Sequence, residues 1–503
     1  MLAIIRSAAL LGVNGLPVSV EVHVSQGLPG FTIVGLPDAA CREARDRVRA
    51  AVLSSKLTWP QSRVTVNLAP SGLRKVGTGL DLAIAVGLLV ASEQAPASAT
   101  ELGYLGELGL DGAVRPISGA LPMSVAIDAP TLVVAEANGT EANLACPDRV
   151  RCVASLAELL DCLEGRNVWS APPYREPPPE APVLDLAEVR GNDVARFALE
   201  VAAAGGHHLL FVGPPGAGKT MLAERMVGLL EPLDRDAALR VTAAHSAAGQ
   251  LLPPDGLIRR APFRAPHHTV SQVALVGGGS TVLRPGEITL ASDGLLFLDE
   301  LGEFSAHALD ALRQPLEEGV VRISRAGASA EMPADFQLIA AMNPCPCGRG
   351  GTGACRCSDA GLARYRRRVS GPLLDRFDLR VMVHPVTSDR LVCTTPGEST
   401  HEVRRRVVAA RRRARDRGVR SNHAMPGAQL ETVARLDADA TEVLRRAVQD
   451  GRLSGRGMRR VHSVALTIAD LAGSDGPIDE ATVAQALALR AEIMVEPSLG
   501  LTA

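Results

Sequence analysis

The chain of 503 residues carries 50 arginines and only three lysines, Lys56, Lys75 and Lys219, against 55 acids, for a formal net charge of −2. That balance excludes a nucleic-acid binder working by bulk charge and leaves room for local basic patches. Aromatic residues make up 3% of the chain, too few for a single-strand binder built on rows of stacking rings. Arginine in place of lysine fits GC-rich codon usage better than heat adaptation, whose usual signal is lysine and glutamate enrichment.

The opening Met1-Leu2-Ala3-Ile4-Ile5-Arg6 lacks the basic region of a signal peptide, and the longest apolar window, 82–91, is too short to cross a bilayer. Nine cysteines, four of them within thirteen positions, then read as thiols rather than disulfides, and a cytoplasmic protein without a membrane partner is expected. Apolar–polar alternation predicts strands over 18–24 and 63–68, and helical spacing predicts helices over 38–54 and 80–90. Residues 1–170 thus read as an α+β domain. A proline-rich linker follows over 171–184; six of the twelve residues from Ala171 to Pro182 are proline. Apolar strands at 209–212, 295–298 and 338–341 alternate with helical stretches, which predicts an α/β core with a parallel sheet over 185–388. From 389 to 503 the pattern is mainly helical.

Gly213-Pro214-Pro215-Gly216-Ala217-Gly218-Lys219-Thr220 fits the P-loop pattern and stands where it must, after a strand and before a helix. Glycines let backbone N–H groups converge on phosphates, Lys219 would reach the β- and γ-phosphates of ATP, and Thr220 would ligate Mg²⁺. Asp299 and Glu300 end an apolar strand: Asp299 suits the Mg²⁺ water shell and Glu300 the polarisation of an attacking water. Asn343 ends the next strand, placed either to position that water or to cap a turn. Cys345, Cys347, Cys355 and Cys357 flank a glycine-rich loop and could close a structural Zn²⁺ site, form two redox pairs or stay unliganded. Nine arginines between 404 and 420 make one strongly basic helix, suited to DNA phosphates or to acids on a neighbouring element.

Five further stretches carry a resemblance: Pro262-Phe263-Arg264-Ala265-Pro266-His267-His268, Pro285-Gly286-Glu287-Ile288-Thr289-Leu290-Ala291, Asn343-Pro344-Cys345-Pro346-Cys347-Gly348, Ser370-Gly371-Pro372-Leu373-Leu374-Asp375-Arg376-Phe377-Asp378 and Thr467-Ile468-Ala469-Asp470-Leu471-Ala472-Gly473. Through them residues 185–503 resemble AAA+ ATPases of the magnesium-chelatase-like, helix-2-insert group, and the whole chain is similar to the YifB/ComM family. The resemblance implies a homohexameric ring with ATP between neighbours, Asn343 as sensor 1, Arg376 as an arginine finger and Arg456 as sensor 2, with Arg459 and Arg460 close by. The alternative for Arg376 is an intrachain pair with Asp375 or Asp378. The insert would span 263–284, and a second hairpin over 320–327 would present Arg322 and Arg325 to DNA or to solvent. His267 and His268, with no further ligand at useful spacing, are expected to be structural or insert residues. The implied activity is ATP-driven branch migration during recombination or natural transformation; a chelatase motor and an ATP-gated scaffold are the alternatives. Residues 1–125 resemble the ribosomal-S5/Lon-like fold, but the nucleophile and lysine positions of a Lon peptidase fall near Gly77 and Leu121, so no peptidase activity is expected.

Overall fold

The computed structural model describes residues 1–180, 182–279, 283–325, 328–350, 355–386 and 397–490, with Arg325 and Ala328 described by backbone alone. Its N-terminal part is built on a seven-stranded sheet of β1 (Leu2–Leu11), β2 (Asn14–Ser25), β3 (Gly30–Val34), β4 (Arg63–Ala69), β5 (Gly103–Leu105), β6 (Leu132–Ala135) and β7 (Val150–Val153), in the order β3-β4-β2-β1-β5-β6-β7. The alternation in β2 turns Val18, Val20 and Val22 into the core and leaves Ser19 and Glu21 on the other face. Helix α1 (Ala39–Ser54) starts where Asp38 accepts a hydrogen bond from the Cys41 N–H at 2.8 Å. Helix α2 (Asp81–Ala91) is buried along its whole length. It lies so close to the sheet that a Cβ on Gly87 would come within 2.6 Å of Val22. Its one charge, Asp81, is matched by Arg47 with two hydrogen bonds of 2.6 and 3.0 Å. The N-terminal part continues through α3 (Ala120–Ala126) and α4 (Glu136–Ala145).

Helix α5 (Asp193–Gly205) opens the second part, whose five-stranded sheet joins β8 (Leu209–Val212), β9 (Phe263–Arg264), β10 (Leu295–Leu298), β13 (Gln337–Met342) and β14 (Leu379–Met382). Their order is β9-β10-β13-β8-β14 and every pairing is parallel. Strands β8 and β10, unbroken apolar runs, are buried throughout, and so is β13, whose Gln337 donates to the Ala202 and His207 carbonyls. Helices α6 (Lys219–Leu229) and α7 (Arg235–Ala247) follow β8. Helix α8 (Pro315–Glu318) leads into a hairpin of β11 (Val320–Arg325) with β12 (Ala328–Pro333). The anticipated hairpin therefore extends to Pro333, and its expected residues 326 and 327 lie outside the described residues. In the expected insert, Gln272–Val276 is helical and Gly277–Gly278 pairs with Arg284–Pro285, while 280–282 lie outside the described residues.

The two parts meet on polar and apolar contacts. Gly12 and Val13, in the β1–β2 turn, pack on the hairpin at Ala330 and Met332. The Gly119 N–H donates to the Ser246 carbonyl at 3.0 Å, and the Ser246 hydroxyl donates to Glu141.

After α9 (Asp359–Arg368), the described chain continues through helices that include α10 (Thr400–Asp416), α11 (Ala438–Gln449), α12 (Gly455–Leu471) and α13 (Glu480–Ala488). The basic run is helical to Asp416, and most of its arginines meet acids of this chain. Arg406 pairs with Glu200 and Glu398, Arg413 with Asp470 and Asp475, Arg415 with Glu231, Arg417 with Asp470, and Arg420 with Asp335 and Asp293. Of the two partners open to this helix, neighbouring acids are the one the fold supplies.

A buried polar knot fastens β14 to α12. Asp378 accepts from the His208 N–H at 2.8 Å and faces His423 at 2.9 Å and Arg460. Burial alone would raise the Asp378 carboxyl, but His423 and Arg460 hold it well below the usual carboxylate range. Burial lowers His207 and His208. Depressed histidines bind fewer protons folded than unfolded, so their contribution to stability is lost as pH falls through the unfolded value of about 6.5. Asp378 adds stability that is lost at still lower pH. The melting temperature of the full chain is expected to fall between pH 7 and pH 5; a level profile across that interval would count against this knot as a stabiliser.

Candidate nucleotide site

Strand β8 delivers the chain to a loop in which Gly216 and Gly218 hold φ of +76° and +89°, the left-handed region that glycine adopts without strain. Gly213 is fixed for a second reason: a Cβ there would lie 2.2 Å from the Val383 carbonyl. Helix α6 begins at Lys219, whose ammonium lies 2.7 and 2.9 Å from the Gly213 and Pro214 carbonyls and 3.2 Å from Asn343 Oδ1. Burial lowers the Lys219 pKa, while Asp299 and Glu300 oppose that shift. Thr220 donates to Asp299 Oδ2 at 2.7 Å, and the other Asp299 oxygen accepts from the Glu300 N–H at 2.9 Å. Glu300 itself holds φ of +54°, a left-handed backbone uncommon for a residue with a side chain.

These groups come from three adjacent parallel strands and open on one cavity of about 380 Å³, lined by Pro215–Met221, Asp299, Glu300, Met342 and Asn343. All sit at the carboxyl edge of the sheet, where open α/β sheets bind ligands. A hydroxyl and a carboxylate within hydrogen-bond distance beside a lysine form a donor set that fits Mg²⁺ and a polyphosphate.

Three sequence models of magnesium chelatase match the chain. That described as "Magnesium chelatase, subunit ChlI" covers 185–391, "Subunit ChlI of Mg-chelatase" covers 20–138, and "Magnesium chelatase, subunit ChlI C-terminal" covers 397–490. Competence protein ComM of Haemophilus influenzae is 41% identical over 503 residues, covering 98% of each chain. The chain belongs to the YifB/ComM family. Escherichia coli YifB, an uncharacterised protein, is 41% identical over 485 residues and 94% of each chain. An uncharacterised protein of Mycobacterium tuberculosis is 46% identical over 493 residues, covering 96% of this chain and 97% of its own.

In this YifB/ComM protein, Arg376 and Arg456 lie away from the cavity, together. Arg376 is 5% exposed and its Nη2 contacts Glu317 at 2.5 Å, while Arg456 lies 3.7 Å from the same oxygen. Neither anticipated partner of Arg376 is used: Asp375 takes Arg380 and Asp378 takes Arg460. Of Arg456, Arg459 and Arg460, it is Arg456 that shares Glu317 with Arg376. Arg459 donates to the Met425 carbonyl at 3.0 Å and Arg460 is tied into the Asp378 knot.

Cys345, Cys347, Cys355 and Cys357 converge, with all four sulfurs within 4.8 Å of one another. Three of the contacts measure 3.3, 3.7 and 3.7 Å. A tetrahedron with Zn–S bonds of about 2.3 Å has S···S edges of about 3.8 Å, so these donors fit zinc. On the hairpin, Arg322 meets Glu318 and Glu331, so its charge is matched within this chain.

Two residues escape the motif-based reading. His268, expected to be a structural or insert residue, places Nδ1 3.1 Å from Glu300 Oε2. Asn192, at φ +53°, donates to the Ala217 carbonyl of the P-loop and accepts from the His384 N–H, each at 3.2 Å. Beside it lies a cavity of about 450 Å³ lined largely by Val194, Val381, Met382, Pro385 and Ala488, apolar enough for a planar base. The Gly191-Asn192 pair ahead of a helix was the available signal, and it reads only as a turn.

Proposed function

We propose that this protein is an ATP-hydrolysing hexameric DNA motor, a branch-migration helicase acting in recombination or natural transformation. The single observation that carries the proposal is the convergence of Lys219, Thr220, Asp299, Glu300 and Asn343 on one cavity. The P-loop residues 213–220 hold the phosphates of ATP. Thr220 and Asp299 hold Mg²⁺, which supplies charge neutralisation at the transferring phosphoryl group. Glu300 takes the proton of the attacking water and Asn343 orients that water. Arg376, with Arg456 beside it, acts on the nucleotide of the neighbouring subunit. The chain divides into residues 1–170, an S5/Lon-like domain serving DNA binding or ring organisation, a linker over 171–184, the AAA+ core over 185–388 and a helical domain over 389–503. The name of the Haemophilus relative, a competence protein, supports DNA as the partner.

The rate of ATP turnover across single-stranded, duplex and four-way-junction DNA tests the proposal. Equal rates with and without each DNA, at low salt and with the ring assembled, would sink it. The chelatase motor is the competing reading. Residues 20–138 match a model described as a chelatase subunit, so the N-terminal region does not separate this chain from such motors. What favours the DNA motor is the match to ComM along nearly the whole chain.

The four cysteines are a structural zinc site in this reading, closed to solvent chemistry because sulfur fills every position. Metal analysis of the purified protein is expected to give one zinc per chain, and Cys355→Ser to lower that value. Zinc well below one equivalent, without cysteine oxidation, would refute the assignment.

A further inference from the structure

Glu317 and Glu318 are adjacent carboxylates at the end of α8 that face different machinery. Glu317 holds Arg376 at 2.5 Å and stands 3.7 Å from Arg456. Glu318 takes Arg322 of β11, which also donates to Glu331 of β12 at 3.0 Å. Only Gly319 separates the helix from the hairpin. Its N–H donates to the Pro315 carbonyl at 2.9 Å, and its own carbonyl accepts from the Ala334 N–H at 2.8 Å. Helix and hairpin are therefore hydrogen-bonded to each other through Gly319, a route by which a push on the hairpin can reach Glu317.

The resting place of Arg376 is not a comfortable one. Its Nη1 donates to the Pro372 carbonyl at 2.6 Å, but its Nε is buried without a partner among the described residues. Burial disfavours its charge, Arg456, Arg313 and Arg460 add like-charge repulsion, and Glu317 opposes them. A guanidinium so placed stays because one half-exposed carboxylate holds it. An arginine meant to reach a neighbouring subunit has to leave that carboxylate first.

We propose that Glu317 is a latch on Arg376: it keeps the arginine inside its own subunit and lets go when the hairpin is displaced, so that hydrolysis in the neighbouring site waits for engagement of the hairpin. Glu317 is a positioning residue in this scheme, since it lies outside the P-loop cavity and acts through Arg376. The latch rests on the reading of Arg376 as an arginine finger and of the hairpin as a DNA contact.

The test uses the full chain, with ATP turnover followed against protein concentration to its plateau, with and without a four-way DNA junction. Glu317→Gln keeps the shape and removes the charge. Its DNA-free plateau is expected to rise roughly three- to fivefold, the ratio set by an ion pair of this exposure. The junction-stimulated rate should not rise with it, so the stimulation ratio shrinks. A purely structural role would lower the melting temperature and both rates together at constant ratio, and that result overturns the latch. So does a DNA-free plateau equal to that of the parent protein. If Glu317→Gln does not fold, Glu317→Asp, which retracts the charge by one methylene, carries the same expectation at smaller size. A parent protein that turns ATP over without responding to the junction would count against the DNA motor instead. The DNA-free plateau of Glu317→Gln would still decide the latch.

Discussion

Glu300→Gln is expected to bind ATP as tightly as the parent protein and to hydrolyse it about 10²- to 10⁴-fold more slowly, the usual range for loss of a positioned general base. The substitution is nearly isosteric, so the left-handed backbone at position 300 and its N–H bond to Asp299 need not change. Thr220, Asp299 and Lys219, which line the same cavity, are untouched. What is lost is the capacity to take a proton from water. Fluorescent-nucleotide titration and phosphate release measure the two quantities separately. Weakened binding to the same degree as turnover would instead make Glu300 part of nucleotide binding. Residual turnover within a few-fold of the parent would remove it from the chemistry.

The His268 contact adds a condition to that mechanism. A carboxylate 3.1 Å from an imidazole nitrogen has one oxygen already engaged. His268 follows β9, the edge strand of the sheet, and so stands beside the strand that ends in Asp299 and Glu300. Sequence reading had no route to this pair, because thirty-two positions separate the residues and neither spacing nor composition joins them.

That contrast runs through the whole molecule. The P-loop was legible because its chemistry is contiguous: glycines, lysine and threonine follow one another and are bracketed by a buried strand and a helix. Helix α1 was legible from Asp38, and β2 from its alternation. The arginines of α10 were legible as basic but not as paired. Their acids, Glu200, Glu231 and Asp470, arrive from α5, the end of α6 and α12. Likewise, the sequence marks Arg376 and Arg456 eighty positions apart, and only folding brings both to Glu317. Contacts of high sequence separation leave no local period to read.

Arg376→Ala is expected to leave ATP binding in place and to reduce turnover by at least about 10³-fold, the smallest effect usual for an arginine finger. Within its own subunit the side chain lies on Glu317 and the Pro372 carbonyl, and no part of it lines the P-loop cavity. Loss of turnover with retained binding would therefore point to action on another subunit's nucleotide. Mixing separates that cause from a folding defect. Lys219→Ala subunits cannot hold the phosphates but keep Arg376, and Arg376→Ala subunits hold ATP but lack the finger, so each is inactive alone. In a head-to-tail ring assembled from equal amounts of both, about one interface in four joins an intact P-loop to an intact finger. Turnover should then reappear in the mixture at a fraction of the parent rate. Complementation has no explanation if Arg376 serves only the fold of its own chain. A mixture as inactive as its components, with rings formed, would withdraw the finger assignment, and with it the reason for Glu317 to hold an arginine back.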